Sequence, residues 1–536
     1  MDAESLSLAM WAWRGRIGEP AVLDAASAQQ CYGVCTTGIE RVIAAALRPA
    51  SLDDVRAIVE IAGDRAVPLY PISTGNNWGY GTANPARDGC VVVDLSGLGR
   101  IVEIDPDLGV VTVEPGVTQQ KLSDYLDENN LPFLVPVTGA GPHCSLVGNA
   151  LERGYGITPY ADHFAAVTAL EAVLADGRVY RSALSELGGK QADRAYKWGI
   201  GPYLDGLFAQ SGFAIVTQMT IALAPRPQRI QAFLFAVDLD ADLEAAVAAV
   251  QRALRRLGGV SGSINLMNAR RVLAMTAPYP GDRLGADGIL PASLVAELAA
   301  QNRVAAWTGF GALYGDKGVV KAARYAIRKI LRPAVKRLRF VTPEAAAAIE
   351  RWCDRLPGVR GGRLARRART LSAALQLVAG RPSQVALPLA YWRAGVIPRP
   401  GDALDPAADG CGLIWYSPLV PMLPARVGRY VQMVNDTCAR HGIEPLITLT
   451  SLSDRCFDSS VPLLFDRRDA AATRRAQACY MALLEAGKEE GFLPYRIGVQ
   501  AMDWLVRRGL PCWDMAAALK SAIDPRGIIS PGRYGP

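Results

Sequence analysis

PISTGNNWGYG, residues 71–81, follows a short apolar run and sets three glycines, Gly75, Gly79 and Gly81, among Ser73, Thr74, Asn76 and Asn77. Such a loop can turn its backbone N–H groups inward and approach a diphosphate closely, because no Cβ stands in the way. A second segment, SLVGNALERGYGITPYADHF (residues 145–164), brings Gly148, Gly154 and Gly156 and ends in the pair Asp162-His163. Working outward from the first loop, residues 51–63 read as an amphipathic helix. Ser51 is its cap, and Leu52, Val55, Ile58 and Val59 form one face. A short strand from Val67 to Pro71 leads into the loop. Three more, Val91 to Asp94, Ile101 to Ile104 and Val110 to Glu114, are separated by the turn-rich pieces LSGLG and DPDLG. This order predicts an α+β domain with a cofactor lying between sheets. It excludes a Rossmann unit, since no GxGxxG opens a helix directly after a first strand.

With 536 residues the chain exceeds one ordinary core, so two domains are expected. No segment approaches eighteen consecutive uncharged apolar residues, which argues against a membrane span. The N-terminus, MDAESLSLAM, carries acidic residues where a secretory leader needs basic ones. The 10 cysteines include no CxxC, and Cys31 and Cys35 lack a second pair for a zinc site. Reduced thiols in a cytoplasm fit this pattern.

The boundary between the domains falls after LAPRPQR (223–229), giving one domain over 1–228 and a second over 229–491. The second opens with a strand, Phe233 to Val237. A helix follows with Leu243, Val247, Val250, Leu254 and Leu257 on one face, stopped by Gly258-Gly259. The net charge is +7, yet the stretch 321–369 alone carries 15 Lys and Arg against Glu344, Glu350 and Asp354. That patch is either a solvated helical face with a mobile loop around Gly361 and Gly362, or a docking surface for an acidic protein partner. Nucleic acid is excluded as a partner, because no aromatic interleaving or recognised motif accompanies the charge.

The two glycine segments resemble the FAD-binding half of the vanillyl-alcohol oxidase and p-cresol methylhydroxylase family. Three further motifs carry the same resemblance: VTVEPGV (111–117) with Pro115, GPYLDGLFAQSGFAIVT (201–217) with Ile215 and Val216, and IISPGRYG (528–535) with Arg533. The resemblance implies an α+β two-domain flavoprotein whose FAD-binding domain is discontinuous, returning over 492–536 after the cap domain at 229–491. It implies FAD contacts from Pro71, Ser73, Thr74, Gly75, Asn76, Asn77, Gly79, Tyr80 and Gly81. Ser145, Gly148, Asn149, Gly154, Gly156 and Asp162 belong to the same set, as do Pro115, Ile215, Val216 and Arg533. A homodimer is expected on the same ground.

By this resemblance Asp162 is the active-site aspartate. It either takes a proton or stabilises charge near the flavin, or else it caps the segment that follows. His163 then orients the loop. Tyr80, Tyr495 and Arg496 match the family's phenol-anchoring positions. Two hydroxyls and a guanidinium at one point lower a phenol's pKa and ease hydride loss at its para carbon. Trp415, in CGLIWYSP (411–418), either stacks on a flat substrate or fills the core. The region TSLSDRCFDSSVPLLFD (450–466), where relatives tether FAD through a histidine, has none. Asp458 or Ser459 stands near that position and Asn77 replaces the histidine of the other usual tether. With only His143, His163 and His441 present, non-covalent FAD is expected, and Cys456 is a structural thiol rather than a tether. His143-Cys144 is a segment for packing or for contact with flavin or substrate.

Three activities remain open on these grounds. The leading one is hydride removal from a 4-substituted phenol or related aromatic alcohol. The alternative is a tailoring oxidation of an alcohol, amine or C–C bond in a larger, carrier-bound metabolite. The third is a flavoprotein subunit that passes electrons to a cytochrome, so the acceptor is either oxygen or a redox protein.

Overall fold

The computed structural model of the protein describes residues 2–355, 362–396, 398–399, 401–505 and 509–535. Its N-terminal part is built on the helix Leu52–Arg65, whose first turn is capped by the Ser51 hydroxyl accepting from the Asp54 N–H at 3.1 Å. Such a cap contributes about 1 kcal/mol. Val55, Ile58, Val59 and Ala62 bury one face of this helix against the strands Ile43–Leu47 and Cys90–Asp94. Those strands and Leu69–Ile72 run parallel in a four-stranded sheet completed by Val22–Leu23. The third strand begins at Leu69 rather than Val67: the Val67 N–H turns back to the Ala62 carbonyl and Pro68 has none to give. The C-terminal segment returns to this sheet, where Leu69 donates to the Ile528 carbonyl and Ser530 donates back to Leu69, both at 2.7 Å.

A second sheet is five-stranded and antiparallel, in the order Ile101–Asp105, Val110–Val113, Ala214–Ala222, Val167–Leu174, Val179–Arg181. The helices Gln119–Glu128 and Leu146–Leu151 cover it through Leu122, Leu126, Leu146 and Val147. The glycine loop leaves the end of Leu69–Ile72 and passes between these two sheets and a third.

The third sheet is eight-stranded: Lys336–Val341, Arg229–Val237, Trp307–Gly315, Asn265–Asn268, Thr448–Ser451, Cys456–Asp466, Cys411–Pro421, Pro494–Arg496. Strand side chains alternate between faces. Leu266, Leu449, Phe457, Val461, Ile414 and Tyr416 therefore join one apolar core with helices that include Leu243–Arg256, Lys317–Leu331 and Pro424–Arg440. Leu243–Arg256 ends one residue before the last position of its apolar spacing, with the C-cap Leu257 N–H on the Ala253 carbonyl, and Gly258 follows. The opposite face carries Thr448, Thr450, Asp458, Ser460, Trp415 and Ser417. The register places Thr448 across from Ser460 and Thr450 across from Asp458. Burying so polar a face requires polar partners or a ligand. The face looks toward the glycine loop.

The basic stretch 321–369 is partly satisfied within the chain. Arg324 and Arg328 lie over the Phe340 ring at 4.8 and 5.0 Å, Arg337 pairs with Asp238 at 2.6 Å, and Arg369 pairs with Asp354 at 2.6 Å. Gly361 lies outside the described residues. Among the described residues, no helix is long and apolar enough to cross a membrane and no cluster of metal-ligating side chains is present.

Candidate active site

The loop after Ile72 is held open by its own conformation. Gly75 has φ +70, in the left-handed region. Among the described residues, the N–H groups of Thr74, Gly75, Asn76 and Asn77 donate to no protein atom. Four successive free donors beside a left-handed glycine make an anion-binding concavity. The second glycine segment closes on it: a Cβ at Gly148 would stand 2.8 Å from Ser73 Oγ, and Asn76 Nδ2 donates to the His143 carbonyl at 3.1 Å. Between them and the polar face of the large sheet lies a cavity of about 410 Å³.

Most residues expected to contact a cofactor line this cavity: Pro71, Ser73, Thr74, Gly75, Asn76, Asn77 and Tyr80 from the first loop, then Ser145, Gly148, Asn149 and Gly154, then Val216 and Arg533. Others sit behind the wall and shape it. The Pro115 carbonyl accepts from Ser145 Oγ at 2.6 Å, and Ile215 belongs to the apolar core with Val173 and Ile528. Gly79 lets Trp415 approach, since a Cβ there would come within 2.3 Å of the indole. Gly81 does the same for Val499, and Gly156 for the Val137 carbonyl. The unpaired N–H groups of the loop fit the diphosphate of FAD.

Tyr80, Tyr495 and Arg496 line the same cavity. Tyr80 Oη and Ser417 Oγ are 2.6 Å apart, and the Arg496 guanidinium lies 4.1 Å from the centre of the Tyr80 ring. Arg496 donates to Asn77 Oδ1 at 2.6 Å and pairs with the Glu152 carboxylate at 2.9 Å. Glu152 also pairs with Arg533 and accepts from Tyr534 Oη at 2.9 Å. Two guanidinium groups share one carboxylate, so the cluster keeps a net positive charge. Burial raises the pKa of both Tyr80 and Tyr495, so both stay protonated hydrogen-bond donors. Pairing of Pro494–Arg496 with the strand Cys411–Pro421, Arg496 opposite Ser417, carries this motif to the cavity.

Asp162 does not reach this wall. It is exposed, its Oδ1 accepts from the Ala165 N–H at 2.9 Å, and it does not line the cavity. Asp162 thus makes a capping contact to the segment that follows it, the second of the two roles read from the sequence. His163 is buried and packs inward, its Nδ1 2.5 Å from Asn149 Nδ2. Burial depresses its pKa to about 4, which keeps the ring neutral and suited to fixing Asn149.

A different carboxyl lies close to Tyr80 and Tyr495. Asp458 is fully buried on the polar face of the large sheet. Its Oδ2 accepts from Ser460 Oγ at 2.9 Å while Oδ1 has no partner. Burial pushes its pKa up to about 8, and its charge acts on Tyr80 and Tyr495. Trp415 and Ser460 line the cavity beside it. Glu152 and Ser417 were likewise absent from the sequence-based site; the ERGYG context of Glu152, next to the glycines, was the available signal. Arg271 also lines the cavity without having been expected there.

No histidine lines the cavity, and His143 is exposed. Cys144 does line it, but burial raises its thiol to about 12 and Sγ donates to the Ala140 carbonyl at 3.2 Å. Cys456 lies outside the cavity, its Sγ bonded to the Phe457 carbonyl at 3.2 Å.

Residues 43–183 match the model of an FAD binding domain. Over its whole length the chain is 36% identical to 1'-carboxy-chondrochloren decarboxylase of Chondromyces crocatus, with 98% of that protein covered. It is 29% identical to the flavoprotein subunit of 4-cresol dehydrogenase [hydroxylating] of Pseudomonas putida, over 92% of this chain and 87% of that one. The crystal structure of p-cresol methylhydroxylase with substrate bound superposes with a TM-score of 0.88 at 27% identity, covering 100% of this chain and 98% of the other. Free donors in the glycine loop, Tyr80, Tyr495 and Arg496 lining the same cavity, and these full-length likenesses agree: the chain belongs to the vanillyl-alcohol oxidase and p-cresol methylhydroxylase family of FAD-dependent oxidoreductases.

Proposed function

We propose that the protein oxidises a 4-substituted phenol, removing hydride from the carbon attached at the para position. The observation that carries this reading is the convergence of Tyr80, Tyr495 and Arg496 on one wall of the cavity. Two protonated hydroxyls donate to the substrate oxygen, and Arg496 supplies the charge that favours the phenolate. Glu152 is occupied by two arginines, so it does not cancel that charge. Asp458, kept neutral below about pH 8, adds no opposing charge beside the same oxygen. The phenolate then pushes electron density toward its para carbon, and Trp415 offers a flat wall along the ring. Bound FAD supplies the acceptor for the departing hydride. The glycine loop donates to its diphosphate, and with no histidine on the wall we infer that FAD is held non-covalently; denaturation should release it intact.

We divide the chain into an FAD-binding part, residues 1–228 and 492–536, and a substrate-binding part, residues 229–491, and expect a homodimer. A test of the anchor uses 4-nitrophenol, added to FAD-loaded protein at a pH below its own pKa. The reading expects the bound ligand to absorb as the yellow phenolate, and a colourless bound phenol would overturn it.

A second reading is favoured by the unpaired cation at Arg271 and by the full-length likeness to a decarboxylase. If the substrate carries a carboxylate one carbon beyond the oxidised position, hydride loss leaves a quinone methide. The C–COO⁻ bond then breaks and its electron pair forms a C=C bond as the ring regains aromaticity. Carbon dioxide leaves, and the two electrons of the hydride remain with FAD.

A further inference from the structure

The cavity contains a charge that phenol anchoring does not use. Arg271 lies in the first turn of the helix Ala269–Thr276, where its N–H donates to Asn268 Oδ1 at 2.9 Å. Its side chain is only 9% exposed and lines the cavity. Among the described residues, Nε and Nη1 are buried without any hydrogen-bond partner, and no carboxylate pairs with the group. Its neighbour shows what a satisfied arginine looks like in the same turn. Arg270 bonds to Glu444 Oε2 at 2.5 Å and to the Leu290 carbonyl at 2.8 Å. An unpaired buried guanidinium is costly to maintain, and burial alone lowers the pKa of Arg271 to about 10.

A second unpaired polar group stands on the same wall. Asn268 Oδ1 also accepts from the Ile447 N–H at 3.2 Å, and the next residue, Thr448, lines the cavity with its buried hydroxyl unbonded. The rest of that region is apolar: Leu387, Leu389, Ala390 and Leu413. A planar cation with free N–H groups, a free hydroxyl and an apolar surround form a receptor for a carboxylate at the end of a hydrocarbon arm.

We propose that Arg271, assisted by Thr448, receives a carboxylate on the substrate's para side chain, which makes the substrate class a 4-hydroxyphenyl compound with an acidic arm. This rests on the phenol reading, which places the ring oxygen at Tyr80, Tyr495 and Arg496. Arg271 acts as a specificity-determining residue and takes no part in hydride removal.

The test measures binding by isothermal titration calorimetry to protein whose bound FAD has first been reduced anaerobically with dithionite, so that no ligand is oxidised. Four ligands are compared: 3-(4-hydroxyphenyl)propanoate, its methyl ester, 4-propylphenol and the deoxy acid 3-phenylpropanoate. The proposal expects the phenolic acid to bind at least about tenfold tighter than its ester. R271Q should erase that preference while 4-propylphenol and FAD bind as before. A carboxylate preference that survives R271Q, or wild-type binding that favours the ester, overturns it. Equal loss of every ligand, or loss of FAD, in R271Q assigns Arg271 to flavin contact or structure and also overturns it. Failure of the phenol reading looks different: the deoxy acid would bind as tightly as the phenolic acid, still dependent on Arg271, and Y495F would leave both unchanged.

Discussion

Asp458→Asn is expected to make the protein more stable, and more so as the pH rises. The carboxyl is fully buried, with one oxygen unpaired, and its pKa rises from 3.8 to about 8. Between those values the folded protein keeps a proton that the unfolded chain releases. Stability therefore declines as pH climbs through this interval and levels off above about pH 8. Each pH unit in the interval removes about 1.4 kcal/mol, so from about pH 5 to about pH 8 the wild type loses about 4 kcal/mol that the asparagine variant does not. With an unfolding entropy of about 2.1 cal/mol/K per residue, that corresponds to about 4 °C in Tm for a chain of this size unfolding as one unit. The assay is thermal unfolding of both proteins across this pH range with FAD in constant excess, so that groups common to both cancel in the difference. A gap in Tm that widens with pH supports the assignment. Two curves that stay parallel would refute it, and would mean that Asp458 is ionised and paired in the folded protein.

Further expectations follow from the same geometry. Above about pH 8 the Asp458 carboxylate appears beside the phenolate site, so kcat/KM for a 4-alkylphenol should fall there, and D458N should lose that alkaline decline. Y495F removes a donor to a charged oxygen and should cost about 1.5–3 kcal/mol, read as a loss of about 10- to 150-fold in kcat/KM. Gly75→Ala should loosen FAD by about 5- to 30-fold in a fluorescence titration, since φ +70 strains an L-residue by about 1–2 kcal/mol. A Cβ there meets Ala83 only at 3.4 Å, so crowding does not confuse the result.

The glycine loop and its helix were legible because each depends on local chain geometry, whereas Tyr495 and Arg496 were singled out by family resemblance and reach the cavity through strand pairing. A capping serine, a left-handed glycine and a short strand announce themselves within a few residues. Asp162 shows the limit of that logic. Its nearness to Gly154 and Gly156 in sequence says nothing about which way the turn faces, and its carboxylate accepts from the Ala165 N–H three residues on. Asp458 and Arg271 were hidden for another reason. Asp458 lies on the polar face of the sheet, with Ser460, only because its strand pairs in register with Thr448–Ser451, putting Phe457 and Ser459 on the other side. Arg271 sits beside Arg270, and which of the two meets Glu444 depends on a residue more than a hundred positions away.

The most direct test of the central claim is anaerobic mixing of the FAD-loaded protein with 4-hydroxybenzyl alcohol and a series of 4-alkylphenols, following the absorbance of the oxidised flavin. Rapid bleaching that is lost when the phenol oxygen is methylated is the predicted result. Full FAD occupancy with no bleaching by any phenol in the series, or bleaching that is indifferent to O-methylation, would contradict it.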